Sequence, residues 1–379
     1  MRLPFVPSAQ PSPARAARFR KAVLVAGFAS LLLGLGVQLG CAGASAGASP
    51  SPTDVYVAGD ESNGQVLVAK YWKNGTAVAL TNGAHNARAF AIAVSGQDVY
   101  VAGGESNERV DVAMVWKNGT PVALTDGTNQ AFAVGLAVSG ADVYVTGYEC
   151  DPSRYGVAVA KVWKNGVPTA LTDGSGMAQA NAVAIDGADV HVAGWEYQVN
   201  QIDPSTWLFS AQAVYWKNGL KTTLTNVSRG GGALGITLSG GDVYVSGNEF
   251  VHGLGIAHVW KNGQATALTD GSRGADAAGV AVADGIVYAP GSENAASGLP
   301  VAMLWKDAAP TVLASARYPS FANGVALSPT GSSVFVVGTV YGPAAATATY
   351  WQDGQRHDLT DGTADAEANA ITVVRRPLF

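Results

Sequence analysis

Six glutamates recur at a regular interval: Glu61, Glu105, Glu149, Glu196, Glu249 and Glu293 each stand two residues after the Gly of a segment like Val-Tyr-Val-Ala-Gly. At the seventh such place stands Val340. Carboxylates brought to one face of a repeat protein can bind cations or act as acid and base. Glu149 and Glu196, from adjacent units, are the pair to which a glycosidase or lyase reaction would be assigned. A hydrolase would need them about 5 Å or about 6.5–9.5 Å apart. The competing reading is local, with each Glu accepting backbone N–H groups in a repeated turn.

Other residue types with chemical potential fall into turns. Asp126, Asp173, Asp270 and Asp361 sit in Thr-Asp-Gly segments, which favour tight turns and lack the alternating oxygen ligands of a calcium loop. His85, His191, His252, His258 and His357 have no metal-ligand spacing. The Asp boxes of sialidases are absent. No metal and no cofactor is expected, and no catalytic residue is assigned.

Seven of the nine tryptophans share one period: Trp72, Trp116, Trp163, Trp216, Trp260, Trp305 and Trp351. Five of them open the tetrapeptide Trp-Lys-Asn-Gly. A ring of sugar-stacking platforms is one reading. The other makes them packing residues on the third strand of each blade, counted from the innermost, with the following Lys on a solvated face, because a residue that every unit demands belongs to the core.

These residues must be positioned by something that repeats. Tyr56, Tyr100, Tyr144, His191, Tyr244, Tyr288 and Phe335 keep the same rhythm as the tryptophans. Within one unit, 98–103 reads as a strand and 112–117 as a second, turning at Asn118-Gly119. A third runs from Pro121 to Thr125 and a fourth from Phe132 to Val138. In the fourth, Ala91, Gly135, Ala182, Gly235, Gly279, Gly324 and Ala370 hold one position, and a branched residue always follows. Such small residues fit the crowded centre of a ring. The expected fold is all-β: a seven-bladed β-propeller with four antiparallel strands per blade. The C-terminal strand, Asn369 to Val373, is expected to complete the first blade and remove both free edges.

The units resemble exported bacterial β-propeller repeats that carry Trp-Lys-Asn-Gly, a group with no established activity. The resemblance covers 54–374 and implies architecture alone.

The repeat is broken in two places. Unit four carries an insertion from Trp195-Glu196-Tyr197-Gln198 to Trp207-Leu208-Phe209, and unit three a shorter one from Tyr148-Glu149-Cys150 to Tyr155. Insertions in repeat proteins gather on one face, often the binding face. Tyr148, Glu149, Tyr155, Trp195, Glu196, Tyr197 and Trp207 are therefore the candidate ligand-binding residues. The alternative is that these loops fold onto their blades and bury the aromatics. The mouth of the innermost strands also varies, reading Arg88, Phe132, Gln179, Gly232, Asp276, Phe321 and Glu367 around the ring.

The 379 residues carry a net charge of −5 with 13% charged, which offers no basic field for nucleic acid. Residues 1–41 have the layout of an export signal: Arg15, Arg18, Arg20 and Lys21, then an apolar run to Val37. Gly40-Cys41 resembles the end of a bacterial lipoprotein signal, which makes Cys41 the lipidation candidate, although Gln38 stands where that motif has Leu. Cleavage after Ala44 or Ala46, or retention of 22–39 as an anchor, are the alternatives. Residues 42–53 read as a flexible spacer and 54–379 as the propeller. The expected protein is an exported monomer on the cell envelope, periplasmic or at the cell surface, touching the membrane only through its N-terminal anchor. Its expected function is to bind a glycan, peptide or envelope protein. A polysaccharide-active enzyme and a structural envelope component are the alternatives.

Overall fold

The computed structural model describes residues 53–376 except 152, 155, 156, 204, 205, 227 and 228, and for 198–209 it describes the backbone only. Cys41 and the export signal lie outside these residues, as does Tyr155. Blade 2 shows the unit: innermost strand Ala87–Ser95, then Asp98–Ser106, Asp111–Lys117 and an outermost strand Thr120–Ala123. Seven such antiparallel sheets make a seven-bladed β-propeller, with the innermost strand of blade 6 broken into Ala275–Ala277 and Ala281–Ala283. The last strand, Ala366–Arg375, pairs antiparallel with Thr53–Ser62 and so completes the first blade.

Each Trp-Lys-Asn-Gly segment builds one hairpin. In blade 3 the turn residues Asn165 and Gly166 have φ of 52° and 83°, the left-handed pair that a type I′ turn requires. The Asn165 side chain accepts the Val143 N–H at 2.8 Å and donates to Asp142 at 2.8 Å. Lys164 meets the same Asp142 at 2.8 Å and lies over the Tyr144 ring, 5.1 Å from its centre. The same staple recurs in blades 1, 2 and 5. The lysine is half-exposed, yet it is anchored at both ends of its reach rather than simply solvated.

Glycine in the second strand answers a close approach. A Cβ on Gly59, Gly103, Gly147, Gly194, Gly247, Gly291 or Gly338 would strike the carbonyl oxygen of the mouth residue of its own innermost strand. In six of the seven blades the register shifts by one residue beside that contact, at a β-bulge such as Phe90 between Ala89 and Ala91. The bulge brings the two backbones together. At three bulges an Asn ties neighbouring blades: Asn181, Asn323 and Asn369 donate to the carbonyls of Ala233, Ala368 and Ala89 at 2.7, 2.8 and 2.9 Å.

Candidate functional site

The seven periodic tryptophans are 0–1% exposed, so none is a stacking platform. Each lies in a cluster with residues of the preceding blade: Trp216 with Ala160 and Val162, and Trp72 with Phe335, Val337 and Ala348 across the ring closure. The Thr-Asp-Gly segments are turns as expected, with the Asp126 carboxylate accepting the Thr128 N–H at 2.9 Å.

Four of the six recurring glutamates are held locally, but by cationic side chains rather than by the backbone N–H groups expected. Lys70 meets Glu61 and Lys161 meets Glu149, both at 2.5 Å. Lys221 meets Glu196 at 2.7 Å, and Arg229 meets Glu249 at 3.2 Å. Asn129 adds a second donor to Glu149 at 3.0 Å. Among the described residues, no group of three or more His, Cys, Asp and Glu is arranged to hold a metal.

Most mouth residues of the innermost strands also find local partners. Arg88 reaches Glu367 at 3.3 Å, joining blades 2 and 1. Gln179 donates to Asn181 at 2.7 Å, and Asp276 accepts both the N–H and the hydroxyl of Ser292. Phe132 packs edge-on to Phe90 at 5.7 Å and against Tyr148 at 5.9 Å.

Tyr148 thus belongs, partly buried, to an aromatic group with Phe90 and Phe132 at the mouth of the innermost strands. Burial drives its phenol well above the ordinary range. Burial also raises the Cys150 thiol, which disfavours the thiolate and leaves that sulfur a poor nucleophile. Beyond Cys150, Asp151 forms a turn with Ser153 and Arg154, and bonds from Ser153 and then Arg154 hold its carboxyl down at about 2.

The insertion of unit four is a longer hairpin, not an irregular loop. Asp189–Asp203 and Thr206–Lys217 pair antiparallel from His191 opposite Lys217 to Asp203 opposite Thr206, with Tyr197 opposite Ala211, Gln201 opposite Trp207 and one register shift between Gln201 and Asp203. In blade 2 the equivalent strand ends at Ser106, the counterpart of Tyr197. Blade 4 therefore carries its ladder six residues further, a length of about 20 Å. Trp207 sits near the end of this ribbon by its backbone.

At the base of the ribbon the side chains form a partly exposed apolar edge. Trp195 and Tyr197 meet edge-on at 5.7 Å, and the Tyr197 N–H bonds the Met177 carbonyl at 2.8 Å. Tyr197 is 42% exposed, Phe250 41%, Leu254 40% and Met177 37%. Gly230 bridges the two blades: a Cβ there would lie 3.0 Å from the Ala211 carbonyl and 3.8 Å from the Phe250 ring. The edge therefore runs from blade 4 onto blade 5.

Trp195, Glu196 and Tyr197 stand together at this edge, with Glu196 tied to Lys221, while Tyr148 and Glu149 hold the places of Trp195 and Glu196 in blade 3, opposite Phe132 and Ala131. Phe250, Leu254 and Met177 were missed by sequence reasoning. A signal existed for Phe250: it follows the recurring Glu, where blades 1 and 2 have Ser62 and Ser106.

The architecture defines the class of protein: a seven-bladed β-propeller whose recurring tryptophans and second-strand glycines are architectural and whose longest departure from the repeat is the blade 4 hairpin. Compared with known protein-family profiles and with curated proteins, the chain matches none. Among solved structures it is similar to a Mycobacterium tuberculosis puromycin-hydrolyzing peptidase, with 14% identity and a TM-score of 0.49. That likeness covers 77% of this chain and 49% of the other, so the match spans about half of the peptidase's length. It carries no argument about what this protein does.

Proposed function

We propose that this protein is an exported binding module of the cell envelope, presenting the blade 4–5 edge to a glycan, peptide or protein partner. The observation that carries the reading is the blade 4 hairpin, which runs six residues past its counterpart above a partly exposed Trp195, Tyr197, Met177, Phe250 and Leu254. Aromatic side chains with a polar tip suit recognition of sugar or peptide. The engagement of Glu149 and Glu196 by lysines supports binding over acid–base catalysis, since each carboxylate is already occupied in a salt bridge within its own blade.

A shortened variant tests the reading, with Gln198 joined to Ser210 through Asn-Gly. Envelope glycans and an envelope extract are offered to it and to the wild type, and a thermal melt checks folding. The reading expects a specific partner bound by the wild type and lost from the folded variant. Equal binding by both would remove the hairpin from the site.

The tether is part of the same proposal, resting on Cys41 and its flanking sequence. Labelling with palmitate in a bacterial host should mark the wild type and not Cys41→Ala. Equal labelling of both, or none, would discard a lipid anchor at this cysteine.

A further inference from the structure

Among the recurring glutamates, Glu105 stands in surroundings unlike the rest. In blades 1 and 3 the lysine that pairs with Glu is opposite Gly59 and Gly147; opposite Gly103 in blade 2 stands Met114. In blade 4 the cation is Lys221, opposite Trp216; opposite Trp116 stands Pro121. In blades 3 and 5 the residue twenty places before the Glu also donates to it, as Asn129 and Arg229. In blade 2 that residue is His85.

Every source of a fixed cation used by the sister blades has thus been replaced in blade 2. No hydrogen bond or ion pair reaches Glu105 among the described residues. Blade 6 shares the methionine, Met303 opposite Gly291, and keeps an arginine, Arg273, at the place of Arg229, where it reaches the Asn294 carbonyl beside Glu293 at 3.5 Å.

The altered residues line a cleft. Glu105, Glu108, His85, Val112 and Met114 bound an open space of about 430 Å³ on the hairpin face of blade 2. His85 lies 3.8 Å from Glu108. Burial holds the Glu105 carboxyl above its ordinary range, against a smaller opposing effect of His85, a penalty on its charge that a cation in direct contact would relieve. The sister blades supply the pattern of what such a carboxylate holds: an ammonium at the end of an alkyl chain, 2.5 Å from one oxygen.

We propose that the blade 2 cleft binds a primary alkylammonium supplied from outside the chain, with its nitrogen on Glu105 and its alkyl chain along Val112 and Met114. A lysine side chain of another protein and a free alkylamine share this chemistry. The site is separate from the blade 4–5 edge and does not depend on it.

The chain has four methionines, so methyl-labelled Met gives a sparse spectrum in which Met114 and Met303 are separate reporters. The folded full chain is titrated at pH 7.5 with n-butylammonium, with n-butanol as the neutral control. A blocked Gly-Lys-Gly peptide is compared with its norleucine analogue. The expected result is a saturable shift of the Met114 methyl by butylammonium and not by butanol, with Met303 unmoved. In Glu105→Gln, binding should weaken at least tenfold while the Met114 signal stays dispersed. Tighter binding of the lysine peptide than of butylammonium would assign the site to a protein partner, and the reverse to a free amine. A Met114 shift that butanol reproduces, that Met303 shares, or that Glu105→Gln leaves within twofold would overturn the proposal. So would the absence of any saturable shift.

Discussion

Trp116 of the second blade lies in one buried cluster with Ala69 of the first, and both are 0% exposed. The alanine leaves room for the indole, and every blade repeats the arrangement: Ala113, Ala160, Ala213, Ala257, Ala302 and Ala348 are also 0% exposed. Large against small is how adjacent sheets interdigitate. The tryptophan period is therefore the period of the joint between blades.

Trp116→Ala should lower stability by about 3–5 kcal/mol, the range for emptying a large aromatic site. Ala69→Leu should also destabilise, by overfilling the same joint. Urea unfolding of both variants checks this. A loss below about 1 kcal/mol in Trp116→Ala would show that the joint is not where the stability lies.

Two glycines of one blade should behave differently. Gly103→Ala sets a Cβ against the Arg88 carbonyl inside the sheet and should cost about 3 kcal/mol. Gly119→Ala meets open space but keeps a φ of 81°, and should cost only about 1 kcal/mol. The ordering of their denaturation midpoints decides the point, and equal losses would contradict it.

The architecture was legible because period and pattern both survive in the residues. Trp-Lys-Asn-Gly marks the hairpin, and the small residues from Ala91 to Ala370 mark the innermost strand. Gly135, for example, would meet Ala182 of the next blade if it carried a Cβ. The cationic partners of the glutamates were not legible. Lys161 lies across a hairpin from Glu149, Lys221 comes from the outermost strand and Arg229 from the loop between blades, so no single spacing unites them. The edge formed with Phe250 was hidden for the same reason, since its residues come from two blades. Unit four also looked like a loop because its extra residues extend the ladder past the turn that the sister blades use.

His191 replaces the tyrosine of the sister blades, is 4% exposed, and bonds the Tyr215 hydroxyl through Nδ1 at 2.7 Å. Burial, then the nearby Lys217, holds it below the ordinary histidine value, against smaller opposing effects of Asp189 and Asp186. A base depressed in the fold binds fewer protons folded than unfolded near its ordinary value of about 6.5. Its contribution is fully present above that pH and is lost as pH falls. His191→Tyr, copying Tyr144 and Tyr244, should remove this part of the acid sensitivity. The melting temperature of the variant should exceed that of the wild type by more at pH 5 than at pH 8. A pH-independent difference would count against it.

Binding at the blade 4–5 edge is the claim on which the functional account rests, and crosslinking tests it most directly. A photoreactive phenylalanine is placed at Tyr197, and in a second protein at Val167, an exposed position on the outer strand of blade 3. Both are irradiated in the producing cells' envelope fraction. The account predicts a discrete adduct from position 197 that is absent from position 167. Adducts of equal yield from both positions, or none from 197, would contradict it.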